Sequence, residues 1–400
     1  MFYNFDIKYI HSKKENFMQG FINVNAYIEG KGIVKTDIGF NNGKIEFIGN
    51  SNGRITCPIP VNGDVVVVPG FIDQHIHGAM GADAMDGTVE ALSTIANAVA
   101  SEGTTGFLAT TMTQSPENIL KAMNAVKNYV EGNFKDGAKL LGIHLEGPFI
   151  SKKHVGAQPI DYVASPEIET FDKYYKASGN NIKIVSLAPE VDGADKLIKY
   201  MKGLGVVPSA GHTDSGYCDI EKAIENGLSN ITHTYNAQKP LHHREVGTVG
   251  SAMLFDSVNA EAICDLIHLS VPAIKLLIKN KPHDKFTLIT DSMRAKHLPD
   301  GLSELGGQEV IVKNGEARLV DGTLAGSILK MNVAIKNLVL SCGVSFTDAI
   351  DFATINPAKN LGIDQTVGSI KEGKNADFTV LDGEFNVLIT IRDGKIIYQK

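Results

Sequence analysis

The residues most able to do chemistry are histidines and carboxylates that follow short apolar runs. His75-Ile76-His77 is the first group. On an extended strand, positions two apart face the same way, so both imidazoles aim at one point. That arrangement suits a divalent cation, or equally a hydrogen-bonded structural pair. Glu146 ends the run Leu141-Gly142-Ile143-His144-Leu145 and precedes Gly147-Pro148. A carboxylate at the end of a buried strand must be ion-paired, protonated or metal-bound, and Gly-Pro argues for a shaped loop over a helix cap. His212 and His233 each close a strand-like run, as Pro208-Ser209-Ala210-Gly211-His212 and Ile231-Thr232-His233. Asp291 follows Thr287-Leu288-Ile289-Thr290. It could accept and return a proton beside an activated water, or cap a helix together with Ser292. His268 lies just past another run and is a candidate for polarising a carbonyl; His144 shares a face with Glu146, where packing is an equal alternative. His11, His154, His283 and His297 stand in polar contexts and are expected to be solvated. His242 and His243 beside Arg244 read as a cationic surface patch.

These side chains need a frame that brings strand ends together. From Val65 onward, apolar runs alternate with amphipathic stretches: Val65–Val68 with Phe71–His75, Thr105–Thr110, Lys139–Leu145, Ile182–Leu187, Val206–Ala210, Ser229–Thr232, Ala260–Cys264 and Phe286–Thr290. Helical candidates between them include Val89–Ala100, Glu117–Val130, Ala194–Lys202, Tyr217–Glu225 and Pro272–Asn280. The alternation argues for a parallel sheet covered by helices, and eight units suit a closed (β/α)8 TIM barrel, whose strand C-termini converge on one face. An open doubly wound sheet would spread the same groups along a line, and no GxGxxG supports it. Both chain ends read as β. Hairpins are expected at Asn42-Gly43 and Asp393-Gly394, and a third at Asn314-Gly315, because these dipeptides supply positive φ angles. The predicted architecture is α/β: a barrel over residues 69–355, with a small β-sandwich built from 1–68 and 356–400.

Composition narrows the function class. A net charge of −7 over 400 residues disfavours a nucleic-acid surface, which needs clustered cations. No apolar run approaches the roughly 18 residues that cross a bilayer, and Met1–Lys14 lacks a signal-peptide core. Four scattered cysteines with no CxxC pair suggest neither a zinc knuckle nor a disulfide framework. A cytoplasmic protein without membrane or nucleic-acid partners is expected.

The same residues carry a resemblance. Pro69-Gly70-Phe71-Ile72-Asp73-Gln74-His75-Ile76-His77-Gly78 resembles the opening signature of the amidohydrolase superfamily. His144-Leu145-Glu146-Gly147-Pro148-Phe149, Gly211-His212-Thr213-Asp214, Thr232-His233-Thr234-Tyr235-Asn236-Ala237, Thr290-Asp291-Ser292-Met293 and Leu324-Ala325-Gly326-Ser327 are similar to its branch of N-acetylglucosamine-6-phosphate deacetylases, as is the tail from Asn356-Pro357-Ala358 to Ala376-Asp377. The resemblance implies hydrolysis of the acetamido group of a phosphorylated amino sugar. It implies Glu146, His212 and His233 as ligands of a principal divalent metal, and His75 and His77 as ligands of a second position. One or two ions follow, with zinc foremost and iron, cobalt or manganese as alternatives. Asp291 would be general base and then acid, and His268 would orient the acetamide carbonyl. Gln158, Asn236, Ala237, Arg244 and His268 would contact substrate. The Asn236-Ala237 segment and Arg244 would hold the phosphate, Arg244 reaching it across the interface of a homodimer. Gln238, Val246, Leu266 and Gln158 depart from the commonest pattern of that branch, which leaves N-acetylgalactosamine-6-phosphate open as substrate. Another amidohydrolase chemistry and a non-enzymatic sugar-phosphate sensor are the competing readings.

Overall fold

The computed structural model describes residues 18–400, so Met1–Lys14 and His11 lie outside the described residues. Eight parallel strands form the main sheet: β1 Phe71–Ile76, β2 Thr104–Thr110, β3 Lys139–Glu146, β4 Ile182–Leu187, β5 Val207–Ala210, β6 Asn230–Ile231, β7 Asn259–Ile263 and β8 Phe286–Ile289. They pair in sequence order from β1 to β8. Just beyond β8, Ser292 bridges Ile76 in parallel, and the Asp291 N–H donates to the His75 carbonyl at 2.8 Å, drawing the last strand against the first. The expected (β/α)8 barrel, with strands from both chain ends gathered beside it, is the architecture observed.

Helices follow the strands. Val89–Ala100 (α1) is capped by Thr88, whose hydroxyl accepts from the Ala91 N–H. Pro116–Gly132 (α2) is capped by Ser115 with proline in its first turn, where no N–H is needed. Leu92, Ile95 and Val99 of α1 recur at helical spacing and are buried, as are Ile119, Met123 and Val126 of α2. Two features differ from the sequence expectation. Strand β6 is only two residues long, although four were expected, because the backbone turns at Thr232 and His233 toward the barrel mouth. Val65–Pro69 does not open the barrel; it pairs with Phe378–Asp382 on one side and Gln19–Ile28 on the other.

That pairing joins the two chain ends. The terminal sheet runs Lys395–Gln399, Val387–Arg392, Phe378–Asp382, Val65–Pro69, Gln19–Ile28, Gly32–Asn41 and Lys44–Ile48, with Cys57–Pro58 beside Gln19–Ile28. It curls until Lys44 bridges Asn375, enclosing Phe21, Phe40 and Phe378. The Asn42-Gly43 and Asp393-Gly394 turns carry the positive φ angles the sequence called for. The third hairpin, Gln308–Lys313 with Glu316–Leu319, joins Gly301–Leu305 in a three-stranded sheet after β8. Among the described residues, no helix is long and apolar enough to cross a membrane.

Candidate metal centre

Three residues reach the barrel mouth because the backbone kinks at the strand ends. His212, His233 and Asp291 have φ of 48°, 29° and 48°, the left-handed region that side chains with a Cβ rarely adopt. Such strain collects where surrounding structure fixes a functional geometry. Here it releases the side chains from strict strand alternation and turns them inward.

Glu146 is the hub. Its Oε1 lies 3.0 Å from His212 Nε2 and 3.0 Å from His233 Nε2, and the two nitrogens are 3.1 Å apart. Tetrahedral ligands at about 2.0–2.1 Å from an ion stand roughly 3.3 Å from one another, so this triangle matches a cation's coordination face. The other oxygen, Oε2, lies 3.1 Å from His77 Nε2 and 3.6 Å from His75 Nε2. Asp291 Oδ1 faces the same rings, at 3.2 Å from His77 and 3.4 Å from His75. One carboxylate therefore connects two donor groups: Glu146-His212-His233, and His75-His77-Asp291.

Hydrogen bonds behind the rings set which nitrogen faces inward. His212 Nδ1–H donates to the His154 carbonyl at 2.9 Å, and His77 Nδ1–H to the Thr110 carbonyl at 3.2 Å. A carbonyl can only accept, so the neutral rings present a lone pair at Nε2, as metal ligation requires. His75 Nε2 is fully buried and makes no well-formed hydrogen bond. A buried, unpaired polar nitrogen is costly, and coordination removes the cost. The donor set thus fits a divalent cation on geometry, tautomer and the orphaned nitrogen together.

The electrostatics point the same way. Burial alone would raise Glu146, but the His75 charge and hydrogen bonds from His212 and His233 hold its carboxyl well below the usual range. Burial likewise opposes ionisation of Asp291, yet His75 and His77 bring it down to about 2. The two carboxylates pull His77 up to about 10 against burial, and push His75 well above its ordinary value. Two buried carboxylates have made a field that draws positive charge.

A cleft of about 200 Å³ opens over this centre, lined by His77, Glu146, His212, His233 and Asp291 on its floor. Gln158, Asn236, Ala237 and His268 line its walls, with Met112, Leu305 and Leu324 as apolar patches. Gln158 Oε1 accepts from the Thr113 N–H at 2.7 Å, which fixes its amide. His268 Nδ1–H donates to Asp265 Oδ2 at 2.6 Å, and Asp265 also accepts the N–H groups of Ile267 and His268. Arg244 is not brought to the cleft of its own chain. It is exposed in a loop, where its guanidinium donates to His243 at 2.7 Å.

Two expectations about histidines change, and for His144 the packing alternative is the one observed. His154 and His297 are not free in solvent. His154 pairs with Asp214 at 3.1 Å while its carbonyl orients His212, and His297 donates to buried Glu102 at 2.7 Å. His144 packs edge-on against His75 with ring centroids 4.4 Å apart and hydrogen-bonds Ser186 Oγ at 2.7 Å. Burial pushes that ring down to about 3, so it stays neutral. Glu261 was overlooked entirely. The only signal for it was a carboxylate inside the apolar run Ala260–Cys264.

Residues 66–397 match the model of the Amidohydrolase family. The chain is 42% identical over 365 residues to the N-acetylglucosamine-6-phosphate deacetylase of Bacillus subtilis (strain 168), spanning 90% of this chain and 92% of that protein. It is 34% identical over 334 residues to the N-acetylgalactosamine-6-phosphate deacetylase of Escherichia coli O157:H7, spanning 82% and 88%. The crystal structure of N-acetylglucosamine-6-phosphate deacetylase from Thermotoga maritima superposes with a TM-score of 0.86 at 35% identity, over 95% of this chain and 100% of that one. With a family match over most of its length and a buried donor cluster at the mouth of its barrel, the chain belongs to the amidohydrolase family.

Proposed function

We propose that this protein is a hydrolase that removes the acetyl group of N-acetylglucosamine-6-phosphate, giving acetate and the free amine. The observation that carries the reading is the convergence of Glu146, His212 and His233 with His75, His77 and Asp291 beneath one cleft. The 42% identical Bacillus subtilis relative bears the same activity in its name. We assign residues 69–355 to a catalytic domain and the flanking segments 1–68 and 356–400 to a small β domain, of which 1–17 lie outside the described residues. It works as a cytoplasmic homodimer.

Glu146, His212 and His233 would hold a divalent ion, zinc foremost, with His75 and His77 offering a second position; such an ion would supply Lewis acidity toward the acetamide carbonyl and lower the pKa of water from 15.7 toward about 7. The protein's own groups do the rest. Asp291 is held ionised, so Oδ1 can take the proton of the attacking water. Asp291 then returns that proton to the departing nitrogen, which leaves poorly as an amide anion and readily as an amine. His268, braced by Asp265, orients the carbonyl oxygen. Gln158 contacts the sugar along the cleft wall, and the Asn236-Ala237 segment holds the phosphate. Arg244 supplies the bidentate donor that a phosphate needs, and its position outside its own cleft fits delivery to the partner's substrate.

A second reading, the galactosamine epimer as substrate, is favoured by one relative's name. Metal-replete protein incubated with N-acetylglucosamine-6-phosphate should release acetate, and faster than with N-acetylgalactosamine-6-phosphate. The opposite rate order selects the epimer, and acetate from neither substrate overturns the proposal.

A further inference from the structure

One buried carboxylate takes no part in that chemistry. Glu261 lies in the middle of β7 and is 0% exposed. Its Oε1 accepts from Gln74 Nε2 at 2.7 Å and from Asn230 Nδ2 at 3.0 Å. Its Oε2 lies 3.3 Å from His75 Nδ1 and 3.3 Å from the backbone nitrogen of His233. Its main-chain carbonyl accepts the Thr234 N–H at 2.8 Å. All the partners of this carboxylate are donors, and together they leave it no freedom to turn.

The consequence falls on both donor groups. An ionised carboxylate only accepts, so His75 must present Nδ1–H to Glu261 and keep its other nitrogen for the mouth of the barrel. His75 Nε2 is the nitrogen that faces Glu146 and Asp291. The same Oε2 accepts the peptide N–H of His233, where φ is 29°. His144 packs edge-on against the His75 ring, with Nε2 on Ser186 Oγ and Nδ1 making no hydrogen bond, so the direct side-chain contact from His75 to Glu261 is the one through Nδ1.

Resting on the deacetylase reading, we infer that Glu261 is a positioning residue for the metal centre: a single buried carboxylate that selects the ligating tautomer of His75 and anchors the strained backbone carrying His233. It touches one member of each donor group and contacts no substrate. Carboxylate partners behind a ligating histidine are worth about ten- to a hundredfold in metal affinity.

The test is Glu261→Gln, which keeps the side-chain shape. With the amide oxygen facing Gln74 and Asn230, its NH2 meets two N–H groups, donor against donor. Zinc uptake by the full chain is measured by elemental analysis after equilibration with buffered free zinc. The substituted chain should bind zinc about ten- to a hundredfold more weakly, the larger loss falling on the His75/His77 position. Superimposable zinc isotherms for the two chains overturn the inference while leaving the deacetylase reading intact. No zinc uptake by the unsubstituted chain overturns the inference together with the zinc assignment, while acetate release remains the separate test of the deacetylase reading. If the Glu261→Gln chain fails to fold, a spectroscopic measurement on the unsubstituted, zinc-loaded protein with 15N-labelled histidine takes its place. His75 should show a protonated Nδ1 and a zinc-bound Nε2. Zinc on Nδ1, or a proton on Nε2, overturns the inference without any substitution.

Discussion

The barrel interior and the core of the terminal sheet are both buried, yet they are built from opposite materials. Phe21, Phe40 and Phe378 fill the terminal sheet, with Phe378 edge-on to Phe21 at 5.6 Å between ring centroids. A TIM barrel ordinarily fills its interior with layers of branched apolar side chains. Here the inward face is a polar chain. Ser186 Oγ joins His144 at 2.7 Å and Thr232 at 2.6 Å, Thr232 joins Ser209, and Asn230 donates to Ser209 at 2.8 Å and to Glu261 at 3.0 Å. Asn259 donates to Asn230 at 2.7 Å, and Thr287 to Asn259 at 2.8 Å. Asn360 reaches Gln74 at 3.1 Å and Asn230 at 3.2 Å. Apolar packing is non-directional and stabilises in proportion to the area removed from water. A satisfied hydrogen-bond network adds little net stability per bond but fixes orientation. The terminal sheet therefore contributes stability, and the barrel interior contributes aim.

Substitutions that separate aim from stability test this contrast most directly. Asp291→Asn keeps the shape but removes the proton acceptor. Positioned acid–base groups contribute roughly 10²–10⁴-fold. Turnover should fall by that factor, while titration calorimetry with the sugar phosphate shows binding within severalfold of the parent. Preserved turnover would remove Asp291 from its proposed role. Phe378→Ala is the mirror experiment. Emptying a fully buried aromatic site costs about 3–5 kcal/mol, read as a lower denaturation midpoint, with kcat per folded molecule unchanged within about twofold. A large loss of kcat in folded Phe378→Ala would show that the terminal core also aims the catalytic groups.

These two regions also differ in how legible they were. The terminal core was visible because its hairpins announce themselves at Asn42-Gly43 and Asp393-Gly394, and its strands alternate. The barrel was visible from the outside only. Apolar residues that pack under the helices, such as Val185 and Leu187 of β4, made the runs recognisable, and the strand-end histidines and acids followed from them. The inward positions Ser186, Ser209, Asn230, Asn259 and Thr287 broke no rule strongly enough to be noticed, because isolated polar residues in a strand usually face solvent. Glu261 was missed for that reason, although a carboxylate inside an apolar strand must have partners. The histidine pairings of His154 with Asp214 and His297 with Glu102 were illegible because each joins distant segments of the chain, His297 to Glu102 across 195 positions. Strand β6 was overestimated because periodicity does not register a backbone that turns into the left-handed region at His233.

A smaller effect probes the site's outer edge. Arg244 contacts nothing in its own cleft, so Arg244→Ala should leave the fold and the metal centre intact. Loss of hydrogen bonds to a charged group costs about 1.5–3 kcal/mol. KM for the phosphorylated substrate should rise by roughly ten- to a hundredfold, with a smaller change in kcat. An unchanged KM would make the exposed loop a surface patch only, and would remove the reason to bring a partner subunit to the cleft.

The smallest effect is the pH dependence of stability, and it separates the two regions again. In the metal-free chain, His77 is raised to about 10 by the Asp291 and Glu146 carboxylates against the opposing effect of burial. A raised histidine contributes stability fully below its unfolded value near 6.5 and loses it as pH climbs toward 10. Asp291, lowered to about 2 by His75 and His77 despite burial, contributes above its unfolded value near 3.8 and loses that as pH falls toward 2. The site's own contribution therefore peaks between about pH 4 and 6.5 when no ion is bound. Ligation needs neutral imidazoles, so metal affinity strengthens as pH rises through that upper limit. Thermal melts of chelator-treated and zinc-loaded protein should diverge steadily from about pH 6 to 8, the loaded form gaining. Phe378→Ala should lower both curves without changing the gap between them, because the one buried carboxyl beside that core, Asp377, which burial pushes up to about 7, titrates alike in the loaded and the metal-free form. A gap that stays constant with pH would mean that the imidazoles at the barrel mouth give up no protons on metal binding, and the donor set would then not be the one that holds the ion.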